Sequence, residues 1–256
     1  MTAEAQPFLA VRGVVRDYGG VRAVDGASFE AKRGRITGLI GPNGAGKSTL
    51  IGIIGGQIKA AAGSITFEGA EVIGQAPHNI ARRGIIRTFQ LSAEFSHLTV
   101  LENLLVAVQE QKGESLFGAE LGRAYWGPSE DALVSEARGV LDRFSMDSKE
   151  AELAGNLSGG QKRLLEIMRA LMAKPKLLLL DEPFAGVNPT LARSIEQRLL
   201  ELRDEGLSMI MVEHELGVVE RLCDPVLVMA RGKVIAEGSM HDVGARQEVL
   251  DAYLVG

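Results

Sequence analysis

Cysteine is nearly absent. Cys223 is the only one in 256 residues, so no intrachain disulfide can form and a reducing compartment is the natural setting. Long hydrophobic runs are missing too. Stretches such as Leu177 to Leu180 fall far short of the ~18–20 residues that a membrane helix requires, so direct membrane insertion is not expected. Met1 to Pro7 has neither a basic n-region nor an apolar h-region, and no signal peptide is expected. There is no basic excess. Lys and Arg number 28 against 33 Asp and Glu, and the net charge of −5 speaks against nucleic acid as a partner. No internal repeat, low-complexity tract or heptad run is visible. What remains is ordinary globular composition, 46 % hydrophobic and 24 % charged, in a chain long enough for one large domain or two small ones.

The most informative stretch is Gly41-Pro42-Asn43-Gly44-Ala45-Gly46-Lys47-Ser48, which fits the spacing G-x-x-x-x-G-K-[ST]. Arg35 to Ile40 before it reads as a short buried strand. Ser48 to Ile54 after it, with Thr49 in the first turn, reads as a helix start. Strand, glycine loop and helix together make a phosphate cradle. Gly41, Gly44 and Gly46 let the backbone turn tightly and bring N–H groups to an anion. The helix aims its unpaired N–H groups and positive dipole end at the same point. Lys47 supplies a charge to the β- and γ-phosphates, and the Ser48 hydroxyl suits Mg²⁺. A guanine-reading Asn-Lys-x-Asp run is lacking, which excludes a P-loop GTPase switch.

Around this loop the pattern is α/β. Strands are expected at Phe8–Arg16, Val21–Ala31, Gly63–Gly69 and Ile85–Gln90, and a short helix at Pro77–Arg83. Antiparallel strands around the cradle predict a mixed sheet. Helical spacing then dominates, at Val100–Gln111 with a Thr99/Glu102 capping box, at Ala132–Phe144 and at Gln161–Ala173. Residues 91–173 are thus read as a helical insertion. The α/β pattern resumes with a buried strand at Leu177–Leu180, a helix at Leu191–Glu205, a buried strand at Ser208–Val212 and a helix at Glu215–Cys223. Pro225–Ala230 and Lys233–Glu237 flank Arg231-Gly232, a hairpin signal.

Two further constellations carry chemistry. The apolar strand at Leu177 ends in Asp181-Glu182, which places two carboxylates where α/β sheets bind ligands. Asp181 suits Mg²⁺, and Glu182 suits the general base or the residue that orients the attacking water. His214 follows the strand Ser208–Val212 at the same kind of edge and suits a γ-phosphate contact. Leu157-Ser158-Gly159-Gly160-Gln161 is a second glycine-rich turn at a helix start, either an ordinary cap or an anion site. His78, His97 and His241 lack such context, and Cys223 reads as a small buried apolar residue.

In this order the motifs resemble the ATP-binding-cassette (ABC) ATPase subunits over essentially the whole chain, as one nucleotide-binding domain spanning residues 1–256. The resemblance implies a P-loop NTPase core with a mixed sheet, an antiparallel β subdomain and an inserted helical subdomain at 91–173. It implies ATP and Mg²⁺ as cofactors. Tyr18 would stack on adenine, with the strand-end core residue as the other reading of that ring. Gln90 would ligand magnesium and water and relay to a membrane subunit. Leu157 to Gln161 would be the signature, with Ser158, Gly159, Gly160 and Gln161 closing over ATP held by a second ATPase subunit, as homodimer or sister heterodimer. The segment Ala185–Asn188 matches the loop that crosses this interface, with Asn188 where the family usually has Asp.

Finer features resemble the ATPases of branched-chain amino-acid importers: Arg87-Thr88-Phe89-Gln90, the run Leu98 to Leu105, Gly186-Val187-Asn188-Pro189, the terminal Val249 to Leu254, and the extra segment Gln109 to Pro128. They imply an ATP-hydrolysing subunit that energises import through separate transmembrane permease subunits. Its place would be the cytoplasmic face of the cell membrane, held peripherally. A lipid or lipopolysaccharide exporter ATPase is the alternative, and a soluble non-transport ABC ATPase a weaker one. Arg82, Arg83 and Arg87 face either a membrane subunit or solvent. Phe117, Tyr125 and Trp126 form either a loop cluster or a docking surface.

Overall fold

A computed structural model of the chain describes residues 7–88, 94–108 and 123–254, with side chains described from residue 130 onward in the last segment. The chain forms two compact units. The first comprises residues 1–87, 176–185 and 196–256, and the second 88–175 and 186–195.

The first unit is built on two sheets. Strands β1 (Leu9–Tyr18), β2 (Val21–Ala31), β4 (Ala62–Phe67) and β5 (Ala70–Glu71) form an antiparallel sheet in the order β2-β1-β4-β5. The other sheet runs β10-β9-β3-β8-β7-β6, from β3 (Ile36–Ile40), β6 (Ile85–Arg87), β7 (Leu177–Asp181), β8 (Ser208–Val212), β9 (Val226–Ala230) and β10 (Lys233–Gly238). Its inner pairs are parallel, and only the β9–β10 edge is antiparallel. The expected mixed sheet is therefore present. Its antiparallel member is the Arg231-Gly232 hairpin, whereas β1 and β2 pair in a sheet of their own. The two turn residues sit at φ 47 and φ 81, which suits a two-residue hairpin.

Sequence explains why β3, β7, β8 and β9 lie inside. Each is a mostly apolar run buried along its whole length, as suits a parallel strand covered on both faces, with Thr37, Asp181 and Ser208 as the buried polar members. Register then decides where the chemistry goes. Asp181 pairs with Val212, and Val212 pairs with Leu39. The carboxyl ends of β3, β7 and β8 thus finish level. The glycine loop, Glu182 and Glu213-His214 leave the sheet at one edge.

The second unit is helical. It contains α3 (Val100–Val106), α4 (Arg123–Arg143), α5 (Gly159–Met172) and the start of α6 (Pro189–Asp204), after α1 (Lys47–Ile54) and α2 (Pro77–Arg82) in the first unit. The predicted capping box forms: Glu102 N–H donates to Thr99 Oγ1 at 3.2 Å, and Thr99 N–H donates to Glu102 Oε2 at 2.7 Å. Helix α4 begins at Arg123 rather than near Ala132, because Gly127-Pro128 interrupts the apolar periodicity that reveals a helix in sequence. Two short helices close the first unit, α8 (Met240–Gly244) and α9 (Gln247–Leu254), after α7 (Leu216–Leu222). Among the described residues no helix is long and apolar enough to cross a membrane.

Candidate nucleotide site

Residues 41–46 leave β3 and enter α1 through positive-φ glycines. Two of these admit no other residue. A Cβ at Gly41 (φ 148) would lie 2.0 Å from the Met229 carbonyl oxygen, and one at Gly46 (φ 100) would lie 2.2 Å from that of Ala23. Gly46 is the N-cap of α1, and no side chain caps that end. The first-turn N–H groups therefore remain open to an anion. Lys47 is almost fully buried and folds back over the loop, donating to the carbonyls of Gly41 (2.7 Å) and Pro42 (3.0 Å). Burial pulls its ammonium below the ordinary lysine range, while the charges of Glu182 and Asp181 pull the other way.

A cleft of about 310 Å³ lies along this loop, lined by Tyr18, Ala23, the residues 43–49, Glu182 and His214. Tyr18 is 44 % exposed, which removes it from the core, and the Arg16 guanidinium lies 4.5 Å from its ring centroid. Glu182 sits at φ 50, a costly backbone position for a non-glycine residue and one that clusters at functional sites. His214 Nε2 lies 2.9 Å from Glu182 Oε1. The two strand-end residues singled out in sequence thus meet directly.

Asp181 is fully buried behind them. Its Oδ2 accepts from Arg87 Nη2 at 2.8 Å, and its Oδ1 has no hydrogen-bond partner. A buried, half-satisfied carboxylate beside the first turn of α1 has the donor chemistry that a hard divalent cation takes. Arg87 is a correction to the sequence reading. It points inward to Asp181 rather than to solvent or a partner, whereas Arg82 and Arg83 are exposed. Removing it leaves a buried carboxylate unpaired. Arg87→Met is expected to lower stability by about 3–5 kcal/mol, measured by urea denaturation.

The second unit holds the other glycine turn. Ser158 caps α5 reciprocally with Gln161: Gln161 N–H donates to Ser158 Oγ (3.4 Å), and Ser158 N–H donates to Gln161 Oε1 (2.9 Å). Gly159 and Gly160 are the first residues of the helix. Asn188 caps α6, its Oδ1 accepting from Leu191 N–H at 3.0 Å, a role open to Asp as well. Gln90 lies outside the described residues, as do Phe117 and the side chains of Tyr125 and Trp126. His78, His97 and His241 are exposed. Burial raises the Cys223 thiol to about 12, as suits an inert core sulfur.

Sequence reading missed two participants, Arg87 and Glu213. Glu213 is 5 % exposed, and its carboxylate accepts N–H groups from Phe184 (3.0 Å) and His214 (3.1 Å). An acidic residue beside a charged neighbour at a strand end resembles a solvated one, and nothing in the sequence marks its burial.

A six-stranded α/β sheet whose carboxyl edge carries a glycine cradle with a buried lysine, and beside it a strand-end acid, is the architecture of a P-loop nucleoside triphosphatase. The chain belongs to the ABC transporter family, whose sequence model matches residues 24–185. It is 41 % identical over 247 residues to a probable branched-chain amino acid transport ATP-binding protein of Archaeoglobus fulgidus, covering 96 % of this chain and 95 % of that one. It is 35 % identical to the high-affinity branched-chain amino acid transport ATP-binding protein of Salmonella typhimurium, with 98 % of each covered. Among solved structures it is similar to a nucleotide-free ATP-binding cassette from an ABC transporter (37 % identity, TM-score 0.84, 97 % of this chain and 99 % of that one). It is also similar to the ADP conformation of such a cassette (36 % identity, TM-score 0.83, 98 % and 100 % covered).

Proposed function

We propose that this chain is the ATP-hydrolysing subunit of an importer for branched-chain amino acids or similar small polar solutes, driving separate transmembrane permease subunits from the cytoplasmic face. The observation that carries the reading is the 2.9 Å contact between Glu182 and His214 at the rim of the phosphate cradle. Relatives named as branched-chain amino acid transport ATP-binding proteins supply the cargo class.

Each residue has a task. The loop 41–49 takes the phosphates with backbone N–H groups, and Lys47 swings from its own loop carbonyls onto the β- and γ-phosphate oxygens. Tyr18 presents an exposed ring to adenine. Glu182 accepts the proton of the attacking water, and His214 orients Glu182 and reaches the γ-phosphate. Ser48, Asp181 and Gln90 are the residues for Mg²⁺, which when bound neutralises phosphate charge. The unpartnered Asp181 Oδ1 supports that assignment.

Ser158 to Gln161 of one copy face the nucleotide of a second ATPase subunit in this reading. The Glu182→Gln variant, mixed with ATP and Mg²⁺, is expected to shift from monomer to dimer in light scattering. Failure of ATP to bind it would move Glu182 from the hydrolytic step into the phosphate cradle. Ser158→Arg places a bulky cation where the opposing phosphates' cap belongs. It is expected to keep monomer ADP affinity within about threefold while abolishing the ATP-driven dimer. Normal dimerisation of Ser158→Arg refutes the trans role of this turn.

A further inference from the structure

We propose that Glu213 is the positioning residue that holds Glu182 and His214 in working register. The inference rests on the hydrolytic assignment of those two side chains and concerns what fixes their 2.9 Å contact.

Glu213 leaves the carboxyl end of β8 with its carboxylate turned into the protein, 5 % exposed. Its two oxygens serve two different backbone segments. Oε1 accepts the Phe184 N–H at 3.0 Å, in the turn that follows Glu182, and Oε2 accepts the His214 N–H at 3.1 Å. The turn is pinned a second time to the same strand end, because Glu182 N–H donates to the Val212 carbonyl at 3.0 Å. Glu182 and His214 therefore both spring from backbone that one carboxylate ties together.

The choice of a carboxylate is informative. Among the described residues no cation pairs with Glu213, and burial together with the like charge of Glu182 opposes its ionisation. Two isolated backbone N–H groups do not require a buried acid, since water, Ser or Asn can satisfy either one alone. A group with two acceptor atoms, rigidly placed and reaching opposite ways, can hold both at once. It also holds Glu182 at φ 50, a backbone conformation that persists only where its surroundings enforce it. Loss of that clamp lets the Glu182 carboxylate and the imidazole drift apart, and misplacement of about 1 Å at a reacting group can cost ~100-fold in rate. The phosphate cradle is not tied to Glu213, so nucleotide affinity is expected to survive.

The test compares Glu213→Leu and Glu213→Gln in the full chain, with ATPase kinetics, ADP affinity and thermal melting measured on each. Glu213→Leu is expected to lower kcat about 30–300-fold with KM for ATP and ADP affinity within about threefold. Glu213→Gln, whose amide oxygen keeps one of the two N–H groups, is expected to recover to about 3–10-fold below the parent. In a His214→Ala background Glu213→Leu is expected to cost less than about threefold more, because the geometry it protects is already broken. A Leu variant with kcat within threefold of the parent overturns the proposal. So does a full additional loss in the His214→Ala background, or a fall in ADP affinity that tracks kcat. Should Glu213→Leu not fold, Glu213→Gln decides alone, and an unchanged kcat overturns the proposal. Glu182→Gln run alongside keeps the two readings apart: if it hydrolyses ATP normally, the hydrolytic assignment fails. If it is inactive while Glu213→Leu works normally, only the positioning role fails.

Discussion

Glu182→Gln is expected to abolish turnover while leaving ATP bound. A positioned base contributes ~100–10,000-fold to a rate, and an amide cannot take a proton at neutral pH. Little else changes. Glutamine has the same length and can still meet His214 Nε2, whose separation from the carboxylate is 2.9 Å. The side chain is only partly buried, and the Lys47 ammonium keeps the charge of Asp181 beside it. Affinity should hold or improve, because the carboxylate's negative charge near Lys47 repels the phosphates that Lys47 attracts. The check is kcat and ATP Kd on one preparation. Retained turnover within tenfold of the parent refutes the base assignment, and lost ATP binding shows that Glu182 belongs to the cradle instead.

Lys47→Ala is expected to weaken ATP binding at least about 100-fold, from charge-assisted contacts to the β- and γ-phosphates at ~1.5–3 kcal/mol each, and ADP binding at least about 10-fold, from the β-phosphate contact alone. The effect should exceed that of any exposed lysine, because Lys47 is nearly dry and its field is poorly screened. The lysine also braces its own loop through the carbonyls of Gly41 and Pro42. A modest drop in thermal stability should therefore accompany the loss. Titration calorimetry with ADP measures the first effect and melting the second. Nucleotide binding within fivefold of the parent would remove Lys47 from the phosphate site.

Much of the fold is legible in the sequence. Residues 41–48 announce a strand, a loop and a helix because the glycines have physical reasons, close approaches at Gly41 and Gly46 and a positive φ of 76 at Gly44. The buried strands were readable from unbroken apolar runs, and the helix that Thr99 and Glu102 cap from its cap residues. Three things were not. The start of α4 hides behind Gly127-Pro128. The separate antiparallel sheet depends on which strands pair, and alternation does not encode that. The inward turn of Arg87 and Glu213 depends on tertiary neighbours, while composition places charged residues outside. That Tyr18, Lys47, Glu182 and His214 share one cleft could thus be anticipated from sequence, and the buried side chains behind them could not.

The strand order has a consequence for how the chain is made. Strand β3, which launches the phosphate loop, is flanked by β8 and β9. It leaves the ribosome early, at residues 36–40, whereas its neighbours span residues 208–212 and 226–230. At ~5–20 residues per second the loop waits roughly 10–40 s for both walls. No amino-terminal fragment ending before β8 can hold nucleotide as the finished protein does. The capacity to bind nucleotide thus reports that synthesis has passed β8 and β9, the two walls of the strand that launches the loop.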